Sequence, residues 1–113
     1  MRIYEAQFKL KPSANEDELL SQFNEVWVPL YRKIPGCISA NIFKYSRAGD
    51  SGPEWDYAFV EVWESEEAHK KALSDKYIGS QDSELGRTGA YDKIRAMMDK
   101  LSTANAALVA SSE

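Results

Sequence analysis

The 113-residue sequence predicts an α+β fold: one antiparallel sheet with two helices, in the order strand, helix, strand, strand, helix, strand. Three observations predict it. "RIYEAQFKLK" and "WDYAFVEVW" alternate as strands do. "ELLSQFNEVWVPLYRKI" repeats apolar residues at intervals of three and four. "WDYAFVEVWESEEAHKKAL" changes from the first period to the second at Ser65.

The first strand covers residues 2 to 11, with Tyr4, Ala6, Phe8 and Leu10 on one face and Ile3, Glu5, Gln7 and Lys9 on the other. Pro12 ends it. Asn15 is placed to cap the first helix, and Glu18 completes a capping-box spacing. Glu16, Asp17 and Glu18 complement the positive end of the helix dipole. Leu19, Phe23, Val26, Leu30 and Ile34 form one stripe, with Leu20, Trp27 and Tyr31 beside it, until Pro35-Gly36 stops the helix. Pro29 conflicts with this pattern. It removes the bond to the carbonyl of Glu25 and costs about 3 kcal/mol in a regular helix, so a bend is expected there.

"CISANIFKYSR" (37–47) reads as the second strand, and "AGDSGPE" (48–54) as a loop dense in turn formers. Residues 55–63 form the third strand. Ser65 caps a short second helix whose first turn carries Glu66 and Glu67. Gly79, Gly86 and Gly89 interrupt the stretch that follows. "AYDKIRAMMDKL" is expected to be helical, with Tyr91, Ile94, Met98 and Leu101 on one face. "TANAALVAS" suits either an extension of that helix or a last strand. The order of elements favours a strand, from about Asn105 to Ala110, which completes a ferredoxin-like β-α-β-β-α-β domain over residues 1–113.

Hydrophobic residues make up 43% and charged residues 28%, the balance of a soluble globular chain. The net charge of −4 has acids and bases interspersed, so neither nucleic acid nor an anionic membrane is an expected partner. Cys37 is the only cysteine and His69 the only histidine, which leaves no intrachain disulfide and no His/Cys metal site. No basic leader followed by an apolar run and no membrane-length apolar stretch is seen, so a cytoplasmic protein is expected.

A ferredoxin-like monomer covers only one face of its sheet, and the other should be polar. Here Ala58, Val60 and Val62 are aliphatic on one side of the third strand, while Trp55, Tyr57, Phe59 and Trp63 are aromatic on the other. Both sides want cover. A homodimer in which a second sheet closes on the bare face is expected.

"RIYEAQFKLKP", "IPGC" leading into a strand, and above all "FVEVWESEEAHKKAL" resemble the dimeric α+β barrel proteins, within them the antibiotic-biosynthesis-monooxygenase-like group; the start and "VEVWES" also resemble NIPSNAP-type members. The resemblance extends over nearly the whole chain. It implies two sheets forming a barrel in a homodimer, and a ligand cavity between sheet and helices of one subunit. It also implies an enzyme: a cofactor-independent monooxygenase acting on an aromatic or polyketide-like small molecule. The alternative is a non-catalytic ligand-binding or stress-related dimer. Haem-degrading members bind iron through a histidine further along. Residues 76–90 contain none, so haem is not implied and no cofactor or metal is expected.

If the aliphatic side lines the barrel, then Gln7, Asn41, Phe43, Tyr45, Tyr57, Phe59, Glu61 and Trp63 look towards the helices, with Trp27, Tyr31 and Tyr91 completing the walls. Such a pocket suits a flat apolar ligand; the same aromatics are equally able to pack as solid core. Glu61 among them has its pKa raised if it is unpaired, as a general base requires. A pairing with Lys9, Lys44 or Arg47 is the plainer alternative. His69 is an alternative base or a proton relay if it faces the cavity, and otherwise a surface residue. Gln7, Asn41 and Tyr57 are candidate donors to an oxyanion, and Trp63 is a candidate wall. Cys37 reads as a small buried residue and Arg87 as surface, with a cavity mouth as its alternative.

Overall fold

The computed structural model describes residues 1–46, 54–74, 77–80 and 82–107. Strands β1 (Arg2–Leu10), β2 (Cys37–Lys44), β3 (Tyr57–Trp63) and β4 (Met98–Ala107) form one antiparallel sheet in the order β2-β3-β1-β4. Helices α1 (Glu16–Gln22), α2 (Val28–Arg32), α3 (Glu66–Ser74), α4 (Glu84–Arg87) and α5 (Ala90–Met97) complete an α+β, ferredoxin-like fold. Both predicted caps are present. The Asn15 side chain accepts from the Glu18 backbone at 3.1 Å, and the Ser65 hydroxyl accepts from that of Ala68 at 3.1 Å.

Pro29 produces a change of helix type instead of a break. Between α1 and α2, residues Phe23–Trp27 form a π-helical segment, and the Val28 N–H reaches back to the carbonyl of Phe23. The wider turn lets Pro29 sit in the first turn of α2, where its missing N–H costs little. The apolar stripe passes through unbroken: Leu19, Phe23, Trp27, Leu30, Tyr31 and Ile34 are all buried.

The end of the chain departs from expectation. Met98 and Leu101 are not helical; α5 stops at Met97, and Met98 is extended (φ −90°, ψ 131°). Met98 pairs with Leu10 and Leu101 with Phe8, across an irregularity in register at Lys9/Leu10. Ladder bonds to β1 outweigh the local helical preference of "MMDKL". The fourth strand therefore begins at Met98, well before Asn105, and residues 108–110 of the expected strand lie outside the described residues. So do Arg47 and all of the expected 48–54 loop except Glu54.

Register decides which side chains share a face. Phe8 pairs with Tyr57, Ala6 with Phe59, Tyr4 with Glu61 and Arg2 with Trp63, so these look to the helices together. Ile3, Glu5, Gln7, Ala58, Val60, Val62, Asn41 and Phe43 occupy the opposite face, which no helix of the described residues covers. The half-buried Ile3, Val60 and Val62 stand there with Phe43, which is 55% exposed. No helix of the described residues is long and apolar enough to cross a membrane.

Candidate functional site

Glu61 sits near the end of β3 on the helix-covered face, beside Trp63, which is wholly buried. The Trp63 indole N–H donates to Glu61 Oε1 at 3.1 Å. His69 Nε2 lies 3.8 Å from the same oxygen, in contact but beyond a hydrogen bond. The His69 ring stacks on Tyr4 at 3.7 Å between centroids and meets Trp63 edge-on at 5.1 Å. Its side chain is 12% exposed and that of Glu61 14%, so His69 is no surface residue.

Burial pushes the Glu61 carboxyl up to about 7, although the Trp63 hydrogen bond favours its charged form. Burial also lowers the pKa of His69, which keeps the imidazole neutral. The pair is thus a weakly solvated acid and base in contact near neutral pH. None of the lysine pairings raised for Glu61 forms. Lys44 pairs with Glu16 at 2.6 Å, and Lys9 lies on the other face of the sheet. Burial raises the Tyr31 phenol well above its usual range, and Glu61 adds to this. Cys37, also near Glu61, is pushed up to about 11, chiefly by burial, and its thiol donates to the Ser39 carbonyl. At neutral pH it therefore stays in the less reactive thiol form.

Gly36 places His69. Its φ of +87° suits glycine, and a Cβ there would stand 2.5 Å from that of Ala68, the residue before His69. The missing side chain lets α3 approach the start of β2 and hold His69 over Glu61.

An apolar cavity of about 280 Å³ opens next to this group, between the helix-covered face of β1 and β4 and the helices. Phe8, Phe59, Phe23, Trp27, Tyr91 and Leu101 are its main walls, and Arg95 also borders it. Glu61 flanks the cavity without lining it: Phe59 is in the wall, and Glu61 is the next residue on the same face of β3, about 7 Å along the strand. The buried indole nitrogen of Trp27 has no hydrogen-bond partner among the described residues. Among those residues no three His, Cys, Asp or Glu side chains converge as a metal site requires.

The predicted pocket is thereby divided. Glu61, His69, Trp27, Tyr31, Tyr57, Phe59 and Trp63 are on the helix side, but Gln7, Asn41 and Phe43 are on the bare face with Tyr45, because antiparallel register sets them opposite Ala58 and Val60. Gln7 donates to the Tyr45 hydroxyl at 2.7 Å there. Tyr57 donates to Glu16 and is not directed at Glu61. Tyr31 packs on Phe59 and Trp63, closing the space where a cavity was expected. The open volume lies instead towards β4. Its walls Phe8, Leu101 and Thr103 were missed because the helical reading of Met98 and Leu101 hid β4; the apolar alternation of Tyr4, Ala6 and Phe8 was the available clue.

The antibiotic biosynthesis monooxygenase family matches residues 1–79. The chain belongs to that family. The matched span includes Glu61, Trp63 and His69, whereas the cavity wall from Tyr91 to Thr103 lies beyond it. No curated protein matches the chain. Among solved structures, the fold is similar to that of At3g17210 from Arabidopsis thaliana (TM-score 0.73, 11% identity, all of both chains covered). It is also similar to SnoaB, a cofactor-independent oxygenase from Streptomyces nogalater (TM-score 0.67, 15% identity, 98% of this chain and 95% of that one). A dimeric ferredoxin-like protein of unknown function from Thermobifida fusca has a TM-score of 0.66 at 19% identity, over 95% of this chain and 90% of that one. At such identities the likeness establishes the fold of this family member.

Proposed function

We propose that this member of the family is a cofactor-independent monooxygenase of an aromatic or polyketide-like small molecule, bound between sheet and helices. The observation that carries the reading is a buried carboxyl raised to about 7, in contact with a neutral histidine, one rung from an apolar cavity. A base poised near neutrality is what removal of an acidic phenol or benzylic proton needs. Glu61 takes the proton, His69 relays it, and Trp63 orients the carboxylate. The substrate carbanion supplies the electrons: a methylene and O₂ give a carbonyl and water, with one oxygen in the product and the other leaving with both methylene hydrogens. A water-poor cavity protects the carbanion from reprotonation.

The bare sheet face completes the reading. Ile3, Val60, Val62 and Phe43 present an apolar surface that a second copy would cover, with Gln7 and Asn41 in the interface. The Thermobifida fusca neighbour is described as dimeric, which supports a homodimer with a barrel between its sheets. The chain's composition and its single thiol suit the cytoplasm.

The test is oxygen uptake with anthrone, whose methylene is acidic and flanked by aryl rings. Glu61→Gln is expected to abolish enzyme-dependent uptake while the variant stays folded and dimeric. Full activity in that variant would remove Glu61 as the base. A second reading, a ligand-binding dimer without chemistry, is favoured by the packing of Tyr31 over Phe59 and Trp63; it predicts tight binding with no uptake above the uncatalysed rate.

A further inference from the structure

The cavity has two distinguishable ends. Along β1 the rungs run from Leu10, paired with Met98, through Phe8 and Ala6 to Tyr4, which is paired with Glu61. Met98, Leu101 and Thr103 line the cavity from the Leu10, Phe8 and Ala6 rungs, and Glu61 stands past the far end. Arg95 borders the cavity from the last turn of α5, whose end is held at the Leu10 end of β1 by the Lys11 N–H bond to the Met97 carbonyl at 2.9 Å. Among the described residues it is the only charged side chain in a lining of aromatic, aliphatic and sulfur-bearing groups and one threonine.

Arg95 is exposed and forms no ion pair among the described residues, although the chain carries 18 acidic side chains. A guanidinium at the rim of an apolar cavity retains its hydrogen-bonding fork for whatever enters. A neutral hydrocarbon gains nothing from it; a carboxylate or phenolate gains a charge-assisted bond while its rings fill the interior. The separation of Arg95 from Glu61 also orients such a ligand, with its anionic group held outside and its opposite edge towards the base.

We propose that Arg95 selects, for this cavity, a substrate with a flat apolar body and an anionic group at the end remote from Glu61. This rests on the cavity being the binding site of the proposed function. Among the described residues Arg87, the other arginine of this region, lies outside the lining, so it is not the selector and serves as the control.

The experiment compares 2-naphthoate with the neutral 2-naphthalenemethanol by calorimetry, neither needing turnover. The native protein should bind the naphthoate about fivefold or more tightly, a preference that weakens in high salt. Arg95→Gln, an exposed substitution, should bring the two affinities within about twofold, and Arg87→Gln should leave the native ratio. A ratio near one in the native protein, or one unchanged by Arg95→Gln, overturns the role of Arg95 and leaves the cavity as a site. Failure of both compounds to bind at millimolar concentration overturns the cavity reading as well.

Discussion

The indole of Trp63 donates to the carboxylate of Glu61 at 3.1 Å, from two residues further along the same face of β3. Strand geometry makes this neighbour relation inevitable, since residues i and i+2 share a face. Its effect on Glu61 is electrostatic: the bond favours the charged form, burial opposes it more strongly, and the result is a carboxyl near 7.

That balance has a measurable sign. In the fold Glu61 holds its proton to about pH 7, against 4.5 for an ordinary glutamate. The folded state therefore binds the proton more tightly, and stability from this group is full below about pH 4.5 and lost as pH rises through 7. His69, lowered by burial, works in the opposite sense as pH falls. Glu61→Gln removes the carboxyl and keeps the burial that lowers His69, so comparison with the native protein isolates Glu61. The variant should gain on the native protein between pH 5 and 8 by up to about 3 kcal/mol in urea unfolding. A constant difference across that range would mean an ordinary carboxyl.

Gly36→Ala should be severe. The position needs φ +87° and has no room for a Cβ beside Ala68. The left-handed conformation alone costs about 1–3 kcal/mol for a non-glycine residue, and the clash adds to it. Because α3 must move, the His69 ring should also leave Tyr4, seen as a change in the histidine ring shifts by NMR. A variant as stable as the native protein would show that the helix adapts freely.

Pro29→Ala should do little. In a regular helix, replacing an interior proline recovers about 3 kcal/mol. Here the π-helical segment Phe23–Trp27 already accommodates the ring, so a change within about 1 kcal/mol is expected in denaturant unfolding. A gain near the full value would mean that the π-helical segment relieves no strain.

Val60→Lys tests the bare face. Val60 pairs with Glu5 and Asn41 at the middle of the uncovered side, where a lysine is tolerated in a monomer and excluded from a sheet-to-sheet contact. Light scattering at micromolar concentration should give two chains for the native protein and one for the variant. A native monomer would remove the homodimer altogether.

What the sequence by itself determined is the list of elements whose period is local: β1, the first helix with its irregularity at Pro29, β3, and the Ser65-capped α3. Alternation and three-and-four spacing record burial directly, and caps and prolines act within a few residues. It also singled out Glu61, because a carboxylate within an aromatic alternation is conspicuous wherever the strand is placed. Tertiary structure alone decided the rest. Whether Gln7 or Phe8 faces the helices depends on which residue of β3 lies opposite, and a shift of one residue exchanges the faces. Met98 and Leu101 became strand because β1 offered a ladder, a partner about ninety residues away in sequence. The cavity followed from that pairing: its walls come from β1, β3, β4 and two helical segments, and empty space between distant segments leaves no periodic trace in any one of them.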